Sequence, residues 1–183
     1  ERQRLEKISQ DNLAPESDIR PSFEKMVCSP DGDLWLVTSQ GGLRKLDPET
    51  RQLSARVNPA GKPEEKPVTV EQVAWDRHGT MWVAGGGKLH CFDKATGRFF
   101  VPLDSSAQAP LANTILGMDT DKNGNIWIAL RRTGLLRIDT QDPDKPTAKL
   151  FNRENGLPSV RISSMKIDRQ QGNIWMPTLL GMV

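Results

Sequence analysis

Few residues of this chain stand in a pattern that could support catalysis. His78 and His90 are the two histidines, and no Ser, Cys or carboxylate recurs at a fixed spacing from either of them. Neither a GxSxG nor an HExxH motif is present. An isolated histidine in a turn or a strand is more often a packing residue than a general base. The sequence therefore predicts a chain without enzymatic activity.

The cysteines and a glycine-rich stretch also lack the spacing of a reactive site. Cys28 and Cys91 form no CxxC motif and no Cys/His pattern typical of zinc. We interpret them as two buried free thiols rather than a disulfide, which leaves the redox compartment open. The stretch AGGGK at 84–88 has no Lys-Ser/Thr pair and no helix after it, so it indicates a tight turn rather than a phosphate loop. No metal or cofactor is predicted.

Arg131 and Arg132 are the residues best suited to binding a ligand. Two adjacent guanidiniums in a short turn would present fork-shaped donors to a carboxylate, a sulfate or a polar sugar group. The alternative is a pair of solvated surface arginines. These arginines lie between two apolar runs, IWIAL and GLLRID, so their role depends on the elements that flank them.

Those elements belong to an internal repeat. Four tryptophans, 47, 45 and 48 residues apart, are each preceded three residues earlier by a glycine, giving the pairs Gly32–Trp35, Gly79–Trp82, Gly124–Trp127 and Gly172–Trp175. Asp, His or Asn precedes Gly between apolar runs in the first three pairs, a pattern typical of tight β-hairpins. Asp76 and Asp121 can cap such turns through their carboxylates. We interpret the four repeated tryptophans as packing residues buried between sheets.

The repeat predicts an all-β fold, a β-propeller with four-stranded antiparallel blades. Residues 1–20 are expected to hold the outer strand of a preceding blade, and residues 21–183 to form blades at about 22–57, 68–103 and 112–151 with a partial blade at 160–183. Trp75 lies at the end of an inner strand, outside the repeated set. We expect about half of a larger ring, with a strained four-bladed ring as the alternative.

Loops at one face of a propeller carry most binding groups, because the blades hold these loops while leaving them free to vary. The predicted turns between strands two and three and the connections between blades lie on this face. They contain Arg20, Glu71, Lys88, Asn113, Arg131, Arg132, Ser159 and Arg161. Of these, Arg131, Arg132, Arg161, Arg20, Asn113 and Lys88 are the predicted ligand-binding residues.

The phrase DKNGNIWIALRRTGLLRID at 121–139 resembles the two-component regulator propeller repeat, and NGLPS at 155–159 is similar to that family's connection between blades. The resemblance covers the chain from about residue 21, although AGGGKLHCFD departs from it with three glycines. It implies a periplasmic sensor domain of a bacterial membrane-anchored receptor with a histidine kinase or diguanylate cyclase module. It also implies a small-molecule ligand, with oligosaccharides the class that better-known members bind.

Composition and topology limit the alternatives. Net charge is +2 and the basic residues form no runs with interleaved aromatics, which argues against a nucleic-acid partner. A protein-interaction scaffold remains an alternative, and so does a propeller enzyme similar to streptogramin lyases. Such a lyase needs a histidine facing the central channel, whereas His78 and His90 lie outside the predicted inner strands. Self-association, or pairing with the remainder of its own propeller, is expected.

Overall fold

A computed structural model describes residues 22–54, 56–59, 67–179 and 181–183. These residues are nearly all β, with fifteen strands and a single α-helix, of four residues, among them. No helix in these ranges has the length and apolar character needed to cross a bilayer. The strand predicted within residues 1–20 lies outside the described residues.

The strands form consecutive antiparallel sheets that follow the sequence repeat. The first repeat holds β1 (Phe23–Cys28), β2 (Leu34–Thr38) and β3 (Leu43–Leu46). The second holds β4 (Val70–Trp75), β5 (Met81–Gly85), β6 (Lys88–Asp93) and β7 (Arg98–Phe100). The third holds β8 (Ile115–Thr120), β9 (Ile126–Leu130), β10 (Gly134–Asp139) and β11 (Thr147–Phe151).

The fourth repeat consists of two small sheets. β12 (Lys166–Asp168) pairs with β13 (Asn173–Trp175), and β14 (Pro177–Thr178) pairs with β15 (Gly181–Met182). A short helix, α1 (Ser105–Gln108), and a 3-10 turn (Ala109–Ala112) connect the second repeat to the third. A second 3-10 turn (Arg153–Asn155) follows the third repeat. Four-stranded antiparallel sheets confirm the predicted fold class.

The first repeat departs from the predicted four strands. The repeat predicts an outer strand at 52–57, yet in the described part of this range (52–54 and 56–57) isolated bridges alone link Leu43 to Val57 and Leu46 to Leu53. Ser54 supplies the physical reason, because its hydroxyl rather than its backbone carbonyl accepts the Lys45 N–H at 2.8 Å. A side chain thus replaces one backbone acceptor and interrupts the ladder.

The core is divided into three clusters, each between two neighbouring repeats. The middle strand β5 shows why: Met81 and Val83 pack toward the first repeat, whereas Trp82 and Ala84 pack toward the third. Because both faces of this strand are buried, its sequence MWVAG is apolar throughout instead of alternating with polar residues. Strand β9 divides its side chains between the second and fourth repeats in the same way.

The sheets stack with their first strands side by side, β4 next to β8 and β8 next to β12. We call these first strands the inner strands. Turns between strands two and three meet the connections between repeats at one end: the Gly42 N–H donates to the Val68 carbonyl, and the Arg131 N–H donates to the Thr114 carbonyl. We call this end the loop face. The hairpins between strands one and two lie at the opposite end, the hairpin face.

Candidate functional site

Two carboxylates, Asp76 buried and Asp121 partly buried, organise hairpins that carry the repeated tryptophans. Asp76 Oδ1 accepts the backbone N–H groups of His78 and Thr80, and its Oδ2 accepts the Trp82 indole N–H at 2.8 Å. Asp121 repeats the arrangement with Asn123, Asn125 and Trp127, the indole bond being 2.9 Å long. We call this Asp-x-x-Gly-x-x-Trp arrangement the hairpin clamp. Both carboxylates are occupied by hairpin donors, which makes them structural groups.

The hairpin clamp is absent from the other two repeats. Ser29 and Arg169 occupy the positions of Asp76 and Asp121. Trp35 is nevertheless 7% exposed, because it packs against Met81, Val83 and Phe92 of the second repeat. Trp175 is 49% exposed. The expectation that all four tryptophans are buried is therefore wrong for Trp175, since no sheet of the described ranges covers its face, and Trp127 is only partly buried.

The cysteines also differ from the sequence interpretation. Both are free thiols, but Cys28 is exposed and only Cys91 is buried. Cys28 ends the inner strand β1, whose residues are mostly exposed. Burial raises the pKa of the Cys91 thiol, and the neighbouring Asp76 charge raises it further. Cys91 is therefore a packing group of low nucleophilicity.

Neither histidine is placed for catalysis. His78 lies in the hairpin between β4 and β5, where its Nε2 is 2.9 Å from the Thr140 carbonyl oxygen. His90 lies on the third strand of its sheet and is buried. Burial lowers the pKa of His90, and the Lys88 charge lowers it further, so its imidazole is neutral at pH 7. No histidine among the described residues lies on an inner strand.

The predicted loop-face arginines are solvent-exposed. Arg131 and Arg132 occupy the turn between β9 and β10, and Arg132 adopts a φ of 64°. Neither guanidinium is paired with a carboxylate of the described part of the chain. Their assignment to a ligand stays a prediction.

The other predicted loop residues are dispersed. Lys88 is the first residue of β6, and the Asn113 amide donates to the Pro110 carbonyl after the 3-10 turn. Glu71 lies within β4 rather than in a loop, because β4 begins at Val70. Arg161 is exposed and lines a small cavity with Ser159. Arg20 lies outside the described residues.

A larger cavity, of about 600 Å³, opens where the inner strands end at the hairpin face. All four repeats contribute to its lining, which we call the central cavity. Its wall is apolar at Val27, Val73 and Met118, with Trp75 beside them. Its polar residues include Arg77, Asp119, Lys122 and Arg169. A cavity of this size and mixed lining is typical of small-molecule sites.

Hydrogen bonds tie the repeats together around the central cavity. The Arg169 guanidinium donates to Asp119 Oδ1 at 2.8 Å and, through Nε, to the Thr120 carbonyl at 3.2 Å. The Thr120 hydroxyl donates to the Trp75 carbonyl at 2.7 Å. Lys166 Nζ lies 3.6 Å from the other Asp119 oxygen. The second, third and fourth repeats are therefore linked in one polar network.

The central cavity can bind polar groups, but its lining has no nucleophile–base pair. Asp119 is engaged by two cations, whereas Arg169 is 65% exposed and retains N–H groups for a ligand. Cys28 contributes a thiol to the lining and Ser29 and Thr120 contribute hydroxyls, and no histidine accompanies them there. The arrangement suits recognition of hydroxyl or carboxylate groups beside an aromatic ring.

Sequence reasoning missed the central cavity, although one signal pointed to it. In the repeat alignment Asp119 falls at the position of Val27, Ala74 and Ile167. A carboxylate at a position that is otherwise apolar marks a departure from pure packing. Trp75 stands outside the repeated set, but the sequence does not specify its neighbours across the sheets.

Comparisons with known proteins define the fold. No protein-family model and no curated protein sequence matches the chain. Among solved structures, the extracellular domain of BT3049 from B. thetaiotaomicron, described as a hybrid two-component system, is 25% identical with a TM-score of 0.61, and the match covers 87% of this chain and 21% of that one. The corresponding domain of BT4673 from the same organism matches at 19% identity with a TM-score of 0.63, over 88% of this chain and 21% of that one.

Virginiamycin B lyase from Staphylococcus aureus also matches, at 11% identity with a TM-score of 0.58, covering 89% of this chain and 50% of the enzyme. Likeness at such identities shows the fold and no activity. The chain spans about one fifth of the length of the extracellular domains that it matches. In fold, the chain is a β-propeller segment of the kind found in the extracellular domains of BT3049 and BT4673.

Proposed function

We propose that the chain is part of an extracytoplasmic sensor domain that binds a small polar ligand in the central cavity. The observation that carries the proposal is the convergence of four repeats on this cavity, around the network of Trp75, Thr120, Asp119 and Arg169. The structural likeness to extracellular domains of two-component systems supports the same role.

A carbohydrate is the ligand class that fits this lining. Sugar rings present C–H groups to an aromatic face and hydroxyls to charged side chains. Trp75 would provide the ring, and Arg169 with Asp119 would provide a donor and an acceptor for hydroxyl groups. The volume of about 600 Å³ accommodates a short oligosaccharide.

Signalling would follow from the position of the ligand between repeats. A ligand that touches inner strands of several repeats favours one spacing of those repeats over another, and it shifts the equilibrium by its difference in affinity for the two. A membrane-anchored parent protein with a histidine kinase or diguanylate cyclase module would carry the signal across the inner membrane from the periplasm.

A glycan array probed with the purified chain tests this proposal. We expect at least one oligosaccharide to bind wild type, and Arg169→Gln to weaken that binding on the order of tenfold, because a charge-assisted hydrogen bond is lost. Arg98→Gln, at an exposed position of β7, is the matched control and should bind like wild type. Equal binding by all three proteins, or none by wild type, would contradict the central cavity as a sugar site.

A protein-interaction role is the second candidate, and one observation favours it. Trp175, Leu179 and Met182 of the fourth repeat are large apolar side chains exposed to solvent. Exposed apolar clusters mark protein interfaces. The partner would be a second copy of the chain or the remainder of its own propeller, and light scattering of wild type and Leu179→Glu separates an associating chain from a monomer.

A further inference from the structure

A second cavity lies on the loop face, at the junction of the third and fourth repeats. Its volume is about 290 Å³, and it is lined by Arg153, Ser159, Val160, Arg161 and Leu179. It is separate from the central cavity, with which it shares no lining residue. Two of the five lining residues are arginines and none is acidic.

The segment that carries this cavity is held in place at several points. Asn152 caps the 3-10 turn that begins at Arg153: its side chain accepts the Glu154 N–H at 2.9 Å, and its own N–H donates to Asn155 Oδ1 at 2.6 Å. Leu157 and Ile162 are buried in the cluster between the third and fourth repeats. The backbone on both sides of Ser159 is therefore anchored, so a ligand here would meet lining residues whose main chain is already in position.

Ser159 is a buried hydroxyl between the two arginines in sequence. It is 4% exposed, and its oxygen accepts the backbone N–H of Arg161 at 3.2 Å. Because the hydroxyl acts as the acceptor in that bond, its own hydrogen remains available to donate. The lining therefore combines two guanidiniums with a hydroxyl donor.

No neighbouring carboxylate neutralises these arginines in the described part of the chain. Neither guanidinium forms an ion pair there, and Glu154, the acidic residue of the same 3-10 turn, pairs with neither. The turn of Arg131 and Arg132 lies at the same end of the sheets, because Ile162 packs with Ala129 and Leu135 beside that turn. The lining of this cavity therefore carries two positive charges and no negative one.

We propose that this cavity is an oxyanion site, in which Arg153, Arg161 and Ser159 bind a carboxylate or sulfate group of a ligand. Guanidinium forks match the geometry of both anions. The site goes beyond the proposed function, because it uses other residues at the opposite face. It also gives Arg161, which the sequence predicts as a ligand-binding residue of the loop face, two partners in Arg153 and Ser159.

The test is a titration of the full chain with sodium sulfate and, separately, with sodium acetate, at an ionic strength held constant with sodium chloride. The arginine side-chain N–H resonances report binding. We expect saturable shifts in wild type and, in Arg153→Gln/Arg161→Gln, affinity weaker on the order of tenfold, because charge-assisted bonds are lost. A stronger response to sulfate or to acetate identifies which anion the cavity prefers.

Two further variants keep the test decisive. Arg98→Gln removes an exposed charge from β7 and should titrate like wild type. Arg161→Lys retains the charge without the fork and should bind with an affinity between those of wild type and the double variant. Absence of saturable binding in wild type, or equal affinity in wild type and the double variant, would overturn the proposal. Loss of affinity in Arg98→Gln would also overturn it, by showing general charge screening instead of a site.

Discussion

The second and third repeats differ from the first and fourth in how each tryptophan is held. Trp82 and Trp127 donate to Asp76 and Asp121 of their own hairpins, whereas Ser29 and Arg169 stand at the equivalent positions of the outer repeats. Trp35 is buried without an acidic partner, and Trp175 is half exposed. The difference shows that a neighbouring sheet buries the ring, and that the carboxylate fixes the hairpin and the indole orientation.

The largest expected contrast is between Trp82→Ala and Trp175→Ala. Trp82 is 3% exposed between the second and third repeats, so its truncation should cost about 3–5 kcal/mol of unfolding free energy. Trp175→Ala should cost less than about 1 kcal/mol, because half of its surface is already solvated. Urea denaturation of both variants gives the comparison. Equal losses would mean that Trp175 is covered in solution.

Removal of the hairpin clamp should have the next largest effect on unfolding free energy. Asp76→Ala leaves the N–H groups of His78, Thr80 and Trp82 without their acceptor, at a cost of about 2–4 kcal/mol. Ser29→Ala, in the first repeat, removes a single bond from the Asp33 N–H and should cost about 1 kcal/mol. The difference between the two variants is measured from their denaturant midpoints, provided that their m-values are equal. A larger loss at Ser29 would contradict the distinction between clamped and unclamped hairpins.

The hairpin glycines provide a third contrast. Gly79 and Gly124 adopt φ values of 74° and 84°, which an alanine tolerates poorly. A β-carbon at Gly124 would lie 2.7 Å from the Arg77 backbone nitrogen, whereas one at Gly79 would meet nothing within 4 Å. We expect Gly79→Ala to cost about 1 kcal/mol and Gly124→Ala about 2–3 kcal/mol. Thermal unfolding followed by circular dichroism would reveal whether the two hairpins respond alike.

The smallest expected effect is a change in acid stability. Burial raises the pKa of Asp121, but hydrogen bonds from Trp127, Asn125 and Asn123 lower it by more, so its pKa is below the ordinary value. The stabilising contribution is therefore present above the unfolded pKa of roughly 4 and is lost as the pH falls through the folded pKa. Asp121→Asn should show a flatter decline of unfolding free energy below about pH 5. If Asp121→Asn and wild type lose unfolding free energy equally in acid, the decline is caused by other carboxylates.

The repeat made the sheets and hairpins predictable, because turn chemistry and Gly-x-x-Trp spacing are local. The wrong predictions concern features that are not local in sequence. Trp175 and Cys28 are exposed because burial depends on what packs against them, which their own neighbours in sequence do not specify. The outer strand of the first repeat is interrupted by a bond from the Lys45 N–H to the Ser54 side chain. No hydrophobic pattern encodes such a bond.

The residues that line the two cavities are harder still to predict from the sequence. Arg161 was predicted from its loop, but Arg153 was not, since its place in the cavity depends on the 3-10 turn capped by Asn152. Asp119 and Arg169 are 50 residues apart and meet only through the stacking of inner strands. Their pairing could have been suspected from Asp119 alone, as the charged exception in an apolar repeat position.

The division of the core into three clusters has a consequence for the way the chain unfolds. Each cluster joins two neighbouring repeats. The unfolding free energy of the array is therefore approximately a sum of one contribution from each sheet and one from each pair of adjacent sheets. The second and third repeats have neighbours on both sides, and the first and fourth have one each in the described ranges. Opening would begin at the outer sheets and proceed inward, with the contact between Trp82 and the third repeat the last to separate.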